Sequence, residues 1–231
     1  MFEKYVLYDP RNNREFSTVT EESLLKRCEC MLPKHLIENK SVLDVGSALG
    51  AMGEWSTLNG CSLYGAVEIQ DTFLNKSKEL LAGRSCNFYK TIEEINVKYD
   101  VVLASGILNG VGNPIEFLKK LCHLSNEYVV IETVLIPSDK SIIEVTNGKM
   151  IAAAGENYSG LVFLPSISAI DMLMSLNGFT ERERLYPEKI DGCHDPYRSM
   201  NHPRCILRYK NTGNFTKLLS DIVEKENVYS C

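Results

Sequence analysis

No stretch of the chain approaches the ~18 consecutive apolar residues of a membrane-crossing helix. The first residues, MFEKYVLYDPRNNREF, hold no apolar core of signal-peptide length either. The expectation is therefore a cytoplasmic protein with no membrane partner. Its eight cysteines then read as reduced thiols rather than a disulfide framework. Positive charge is also in deficit. A formal net charge of −5 leaves no global basic field, which counts against a large charge-driven nucleic-acid surface, though not against a local one. Histidine is scarce, at four residues. Two of them, His194 and His202, sit near Cys193 and Cys205, but C-H-x7-H-x2-C is not a standard zinc spacing. No metal is expected. There is no internal repeat and no low-complexity tract.

What is present fits one α/β domain of 231 residues with additions. The informative stretch is SVLDVGSALGAMGEWSTLNG, residues 41–60. Val42, Leu43 and Val45 form an apolar run interrupted by Asp44. Small residues follow, Gly46, Ser47, Ala48 and Gly50, and then helix-compatible residues to Leu58. This is a buried strand, a tight turn and a helix start. Such a turn lets the backbone approach a nucleotide-like ligand, and the helix N-terminus aims free N–H groups at it. Two registers compete. Ala48 to Gly53 is an imperfect G-x-G-x-x-G, which would suit a dinucleotide. Asp44 to Gly50 places an acidic side chain at the strand end, which suits a cationic amino-acid ligand better than a pyrophosphate.

Expected strands run over Ser41–Val45, Ser62–Val67, Cys86–Tyr89, Asp100–Ala104, Tyr128–Leu135, Phe179–Tyr186 and Cys205–Tyr209. Helices are expected over about Thr20–Met31, after Gly50, over Asp71–Ala82, from Pro114, over Ser166–Asn177 and over Asn214–Glu226. Strands alternating with helices predict a doubly wound, mostly parallel sheet. Residues 1–40 are read as a cap across the sheet edge. Residues 138–165, irregular at first, read as an insertion over the mouth of the active site. Glu68 closes the second strand about 20 residues past the Gly-rich turn, where an acidic side chain accepts from ribose hydroxyls. Both competing cofactors carry a ribose, so Glu68 does not separate them.

Over roughly residues 40–210 the chain resembles a class I S-adenosylmethionine-dependent methyltransferase. The likeness lies in Asp44-Val45-Gly46-Ser47-Ala48-Leu49-Gly50, with Ala48 where the family's middle glycine stands, in Glu68, in Asp100-Val101-Val102-Leu103-Ala104-Ser105-Gly106, and in the final strand pair. It implies a Rossmann-like, mostly parallel seven-stranded sheet ending in an antiparallel strand pair. Shorter pieces are similar to the tRNA wobble-uridine carboxymethyltransferases. These are Leu103 to Leu108 with Asn113-Pro114, Ile131-Glu132-Thr133, Phe163-Leu164-Pro165-Ser166 and Asn177-Gly178-Phe179.

The resemblance implies S-adenosylmethionine as cofactor. Asp44, Gly46, Ser47, Ala48 and Gly50 would cradle its amino-acid and ribose end. Glu68 would hold the ribose, Ile69 would lie against the adenine, and Ser105 and Gly106 would line the crevice. Catalytic candidates follow from position: Asn109 and Glu132 near the ends of strands four and five, Tyr158 in the insertion, and His194 before the last strand. Two of them have a structural alternative, a bracing carboxylate for Glu132 and an exposed loop histidine for His194. The expected reaction is methyl transfer to a small-molecule acceptor, by a monomer or homodimer. The first alternative is transfer to RNA, with a basic stripe drawn from Arg198, Arg204, Arg208 and Lys210. Its variant uses a carboxylated donor and needs a cation near the transferred group. The others are a nucleoside-binding module that transfers nothing and a nicotinamide oxidoreductase.

Overall fold

The computed structural model describes residues 2–5, 8–9, 14–15, 21–147, 160–185 and 204–213. Near the start, β1 (Tyr8–Asp9) pairs antiparallel with β2 (Arg14–Glu15). Two helices follow, α1 (Glu21–Met31) and the one-turn α2 (Lys34–Ile37) after Pro33. Then come β3 (Ser41–Val45), α3 (Ala51–Leu58), β4 (Leu63–Val67), α4 (Asp71–Leu80), β5 (Cys86–Tyr89) and β6 (Tyr99–Ser105). A short 3-10 turn, Leu108–Gly110, precedes α5 (Pro114–Leu124) and β7 (Ser125–Val134). The remaining elements are β8 (Ile143–Asn147), β9 (Leu161–Pro165), α6 (Ile167–Ser175), β10 (Phe179–Leu185) and β11 (Arg204–Asn211).

Seven strands make one sheet in the order β10-β11-β7-β6-β3-β4-β5. The β3, β4, β5, β6 and β7 pairings are parallel, while β11 runs antiparallel to both β7 and β10. The doubly wound sheet and its antiparallel ending are as expected. After β5 the chain crosses back to add β6 on the other side of β3. That reversal opens a crevice beyond the carboxyl ends of β3 and β6.

The alternation of side chains along a strand divides the core into two layers. Leu43, Val45, Val102, Ala104 and Ile131 face α5 and α6 on one side. Val42, Val101, Leu103, Val130 and Ile206 face α1, α2 and α3 on the other. The helices start where their caps dictate. Asn113 accepts from the Glu116 amide at 3.1 Å with Pro114 behind it, and Ser166 accepts from the Ala169 amide at 3.1 Å.

Two expectations are corrected. Helix α1 does not cap the sheet edge. It buries Cys28 and Met31 on the sheet's face, packed against α3 and β11. The insertion is not irregular where it is described: β8 and β9 form an antiparallel hairpin paired from Ile143↔Pro165 to Asn147↔Leu161. The expected terminal helix, residues 214–226, lies outside the described residues. No described helix is long and apolar enough to cross a membrane.

Candidate functional site

The loop after β3 has the shape its small residues allow. Gly46, Ala48 and Gly50 all take positive φ, +81°, +48° and +85°. Ala48 therefore holds the left-handed conformation that glycine adopts freely and that costs an L-residue about 1–2 kcal/mol. The turn is fixed from both sides. The Gly46 and Ser47 amides donate to the Val67 carbonyl at 2.9 and 3.0 Å, and the Gly50 amide donates to the Ser47 carbonyl at 2.8 Å. A Cβ on Gly46 would sit 2.6 Å from Ile107 Cγ2. The two carboxyl-end loops of the crevice thus touch across it.

Glu68, at the end of β4, is buried and committed to the loop. Its Oε2 accepts from the Ala48 amide at 3.0 Å and its Oε1 from the Gln70 amide at 2.8 Å. These bonds place the carboxylate beside the turn. A cavity of about 760 Å³ opens here, of the size that holds small ligands. Gly46, Ala48, Glu68, Ile69 and Gly106 line it. Ile69 leaves 72% of its surface exposed there, an apolar side chain without a partner of its own layer. Further lining comes from Phe73, Ile92, Phe117, Val134, Val162 and Leu164, and from Arg204.

The other four cofactor candidates do not line this cavity. Asp44 turns to the α3 side of the sheet, where its Oδ2 accepts from the Tyr64 hydroxyl at 2.7 Å. Burial pushes its carboxyl up to about 7; the Tyr64 hydrogen bond pulls it down, and the neighbouring Glu68 charge adds to the rise. Gly50 is the N-cap of α3, backed by Ser77 and Leu81. Ser47 is buried in the turn with a hydroxyl that has no partner among the described residues. Ser105 donates to Glu132 at 2.5 Å.

The catalytic candidates are placed differently from the expectation. Asn109 spends all its amide capacity on the backbone around it. Its Nδ2 donates to the Val134 and Phe163 carbonyls at 3.0 and 2.8 Å. Its Oδ1 accepts from the Thr133 hydroxyl at 2.8 Å and the Val134 amide at 3.1 Å. It lines the cavity, yet it acts as a staple joining the loop after β6 to β7 and β9. Glu132 is 1% exposed and lies under two arginines. Arg204 grips it with Nε at 2.9 Å and Nη2 at 3.0 Å, and Arg27 Nη2 reaches both oxygens at 2.8 and 2.7 Å. Burial alone would raise its carboxyl, but Arg204 and Arg27 outweigh burial and hold it well below the usual range. A carboxylate so stabilised is a poor proton acceptor near neutral pH, so the bracing alternative fits Glu132. Tyr158, His194 and His202 lie outside the described residues. Cys205 is buried in the core, and no group of three or more metal-ligating side chains occurs among the described residues.

Two functional features escaped the sequence. Arg27 joins Glu132 across 105 positions, a separation with no local signature. The β8–β9 hairpin brings Val162 and Leu164 to the cavity. Its alternating Ile143-Glu144-Val145-Thr146-Asn147 was the available signal. Of the basic stripe that the RNA alternative draws on, Arg208 and Lys210 are paired across the strand register, and Arg198 lies outside the described residues. Glu183 faces Arg208 and Glu181 faces Lys210, with ion pairs at 2.9 and 3.6 Å.

No family model matches the chain, and no curated protein matches it. Solved structures do. The N-terminal domain of EvdMO1 with S-adenosylhomocysteine (SAH) bound aligns with a TM-score of 0.63 at 14% identity, over 81% of each chain. The 1,6-didemethyltoxoflavin-N1-methyltransferase of Burkholderia thailandensis, with its acceptor and SAH bound, gives 0.59 at 16% identity over 83% of this chain and 79% of that one. A proposed RNA methyltransferase of Pyrococcus horikoshii gives 0.52 at 17% identity over 83% and 82%. At these identities the likeness establishes the fold, which is the Rossmann-like fold of S-adenosylmethionine-dependent methyltransferases.

Proposed function

We propose that this chain is an S-adenosylmethionine-dependent methyltransferase acting on a small-molecule acceptor. The observation that carries the reading is the junction of Ala48 and Glu68. A non-glycine residue is held at positive φ and its amide bonded to the strand-end carboxylate, beside a cavity at the switch point. The chain accepts local strain to keep that turn, which is how ligand-shaping loops behave.

The residues fit the donor. Gly46 and Ala48 would face its amino-acid end, Glu68 its ribose hydroxyls and Ile69 its adenine, while Gly106 gives backbone room in the crevice. Asp44, Ser47, Gly50 and Ser105 serve by holding this wall from behind. When bound, the donor supplies a methyl group on a cationic sulfur. The protein's own work is alignment of the acceptor and exclusion of water, for which the apolar walls Phe117, Val134, Val162 and Leu164 are suited.

The carboxymethyl variant keeps one supporting observation, since Arg204 supplies a cation in the cavity wall. The RNA alternative loses support because Arg208 and Lys210 are paired with glutamates. A calorimetric titration with S-adenosylmethionine and with SAH tests the main reading. Micromolar binding is expected, with loss of tenfold or more in Glu68→Ala. No binding by the wild-type chain, or binding of NADH instead, would overturn it.

A further inference from the structure

We propose that the acceptor is an uncharged, apolar small molecule held against a wall built by β7 and β9. The inference deepens the methyltransferase reading and rests on it. The cavity has two unlike ends. At the β4–β5 end Glu68 and Glu93 line it, beside Ile69, which is 72% exposed. At the other end stand Val134, from the end of β7, and Val162 and Leu164 of β9, which are only 6%, 4% and 1% exposed. In strand order β7-β6-β3-β4, Val134 and Glu68 stand three strand spacings apart, about 14 Å at ~4.8 Å each. A donor seated with its ribose on Glu68 leaves the β7–β9 end to the acceptor.

That end is apolar by construction. Val134, Val162 and Leu164 form an apolar cluster of their own, apart from the two layers of the core, with Ile136 packed against it. Ile107 and Phe117 add apolar lining from the loop after β6 and from α5. The hairpin sorts its residues by face. Val162 and Leu164 turn inward, whereas Leu161, next to Val162 in the chain, points the other way and is 64% exposed. The backbone of the wall is satisfied as well. Asn109 accepts from the Val134 amide at 3.1 Å and donates to the Val134 and Phe163 carbonyls at 3.0 and 2.8 Å. These main-chain groups would otherwise call for water or for a polar ligand, and they find their partners inside the protein. Arg204 also lines the cavity, and its Nε and Nη2 are given to Glu132 at 2.9 and 3.0 Å. A wall whose polar groups are engaged in this way offers a ligand apolar contact. An ionic group brought against it would lose its water without replacement, while an uncharged apolar body gains from the same burial.

The test titrates the full chain, saturated with SAH, with 2-naphthol, 2-naphthoate and 2-naphthylmethylammonium at neutral pH, followed by calorimetry. The three probes carry one skeleton as a neutral, an anionic and a cationic molecule. The neutral 2-naphthol is expected to bind at least ten times more tightly than either ion. Val162→Thr keeps the shape of the side chain and sets a hydroxyl in the wall. It should weaken 2-naphthol fivefold or more and leave SAH affinity within twofold. Leu161→Thr, on the outer face of the same strand, should change neither. Should Val162→Thr fail to fold, Phe117→Leu replaces it and should weaken 2-naphthol threefold or more, again with SAH affinity within twofold. An ion that binds as tightly as 2-naphthol would overturn the proposal. So would a 2-naphthol affinity that survives the wall substitution, or one that falls equally in Leu161→Thr. Absence of SAH binding would bring down the methyltransferase reading and this one with it. SAH binding without binding of 2-naphthol would bring down this one alone.

Discussion

Replacing Asp44 by Asn should stabilise the protein by an amount that grows with pH. Asp44 is 2% exposed, and its carboxyl rises from the ordinary 3.8 to about 7. Between those values the native state keeps a proton that the unfolded chain has released. Stability therefore falls as pH rises through this window, and the loss is complete above the folded-state value. Three units at ~1.4 kcal/mol each give a full penalty of about 4 kcal/mol. From about pH 5 to about pH 8 roughly two of those units develop, or about 3 kcal/mol. Asn carries no titrating group, and its Oδ1 can still accept from the Tyr64 hydroxyl that holds Asp44 at 2.7 Å. The gap between the Asp44→Asn variant and wild type should therefore widen by about 2–3 kcal/mol across that range. Urea unfolding followed by the fluorescence of Trp55, the single tryptophan, measures it, and taking the difference cancels groups common to both proteins. A gap constant within about 0.5 kcal/mol between the two pH values would refute the claim that Asp44 is held protonated.

Four further outcomes are expected. Ala48→Gly should stabilise the fold by about 0.5–1 kcal/mol, the relief of a +48° φ less the added flexibility of the unfolded chain; a shift in the urea midpoint reads it. Gly46→Ala should abolish SAH binding in calorimetry, because the new Cβ meets Ile107 Cγ2 at 2.6 Å on a backbone at φ +81°. Asn109→Ala removes four hydrogen bonds and should cost about 3 kcal/mol. The same change should speed amide exchange in β9 well before it affects β3. Arg27→Met should cost about 3 kcal/mol by stripping one cation from the buried Glu132, measured by thermal unfolding.

The sheet was legible because its signals are local. The apolar run through Val45, the Asn113-Pro114 cap and the glycine after Asn177 each act within a few residues, and the strands and helices they imply are present. The place of Glu68 was legible for the same reason, as it follows the end of β4 at a fixed distance from the turn. Boundaries shifted where tertiary pairing took over. β7 begins at Ser125 rather than Tyr128 because Ser125 pairs with Tyr99 of β6. Asp44 was misplaced for a physical reason. A strand residue next to a ligand loop faces one side or the other according to its parity, and the sequence does not say which face the ligand takes. The Glu132 cluster could not be read at all, since its arginines come from 105 residues before it and 72 after.

The polar side chains at the carboxyl ends of the strands share one use. Glu68 ties β4 to the loop after β3, Asn109 ties the loop after β6 to β7 and β9, and Glu132 ties β7 to β11 and α1. Each joins segments distant in sequence, so the crevice wall is assembled from parts that would otherwise move independently. A side chain whose lone pairs and protons are spent this way has little capacity left to move a proton during a reaction. The two described candidates that position alone suggested as catalytic, Asn109 and Glu132, are thus braces of the crevice wall. That arrangement suits a transfer in which the donor brings its own leaving group, because such a reaction asks the protein for fixed geometry more than for proton movement. It also leads to a sharp expectation. Asn109→Asp keeps the size of the side chain but turns two donors into acceptors facing the Val134 and Phe163 carbonyls. It should loosen the β8–β9 hairpin and weaken acceptor binding, while SAH affinity, which we propose is set at the Glu68 end, changes less than threefold. Equal loss of both affinities would mean that the two ends of the cavity are not separately braced.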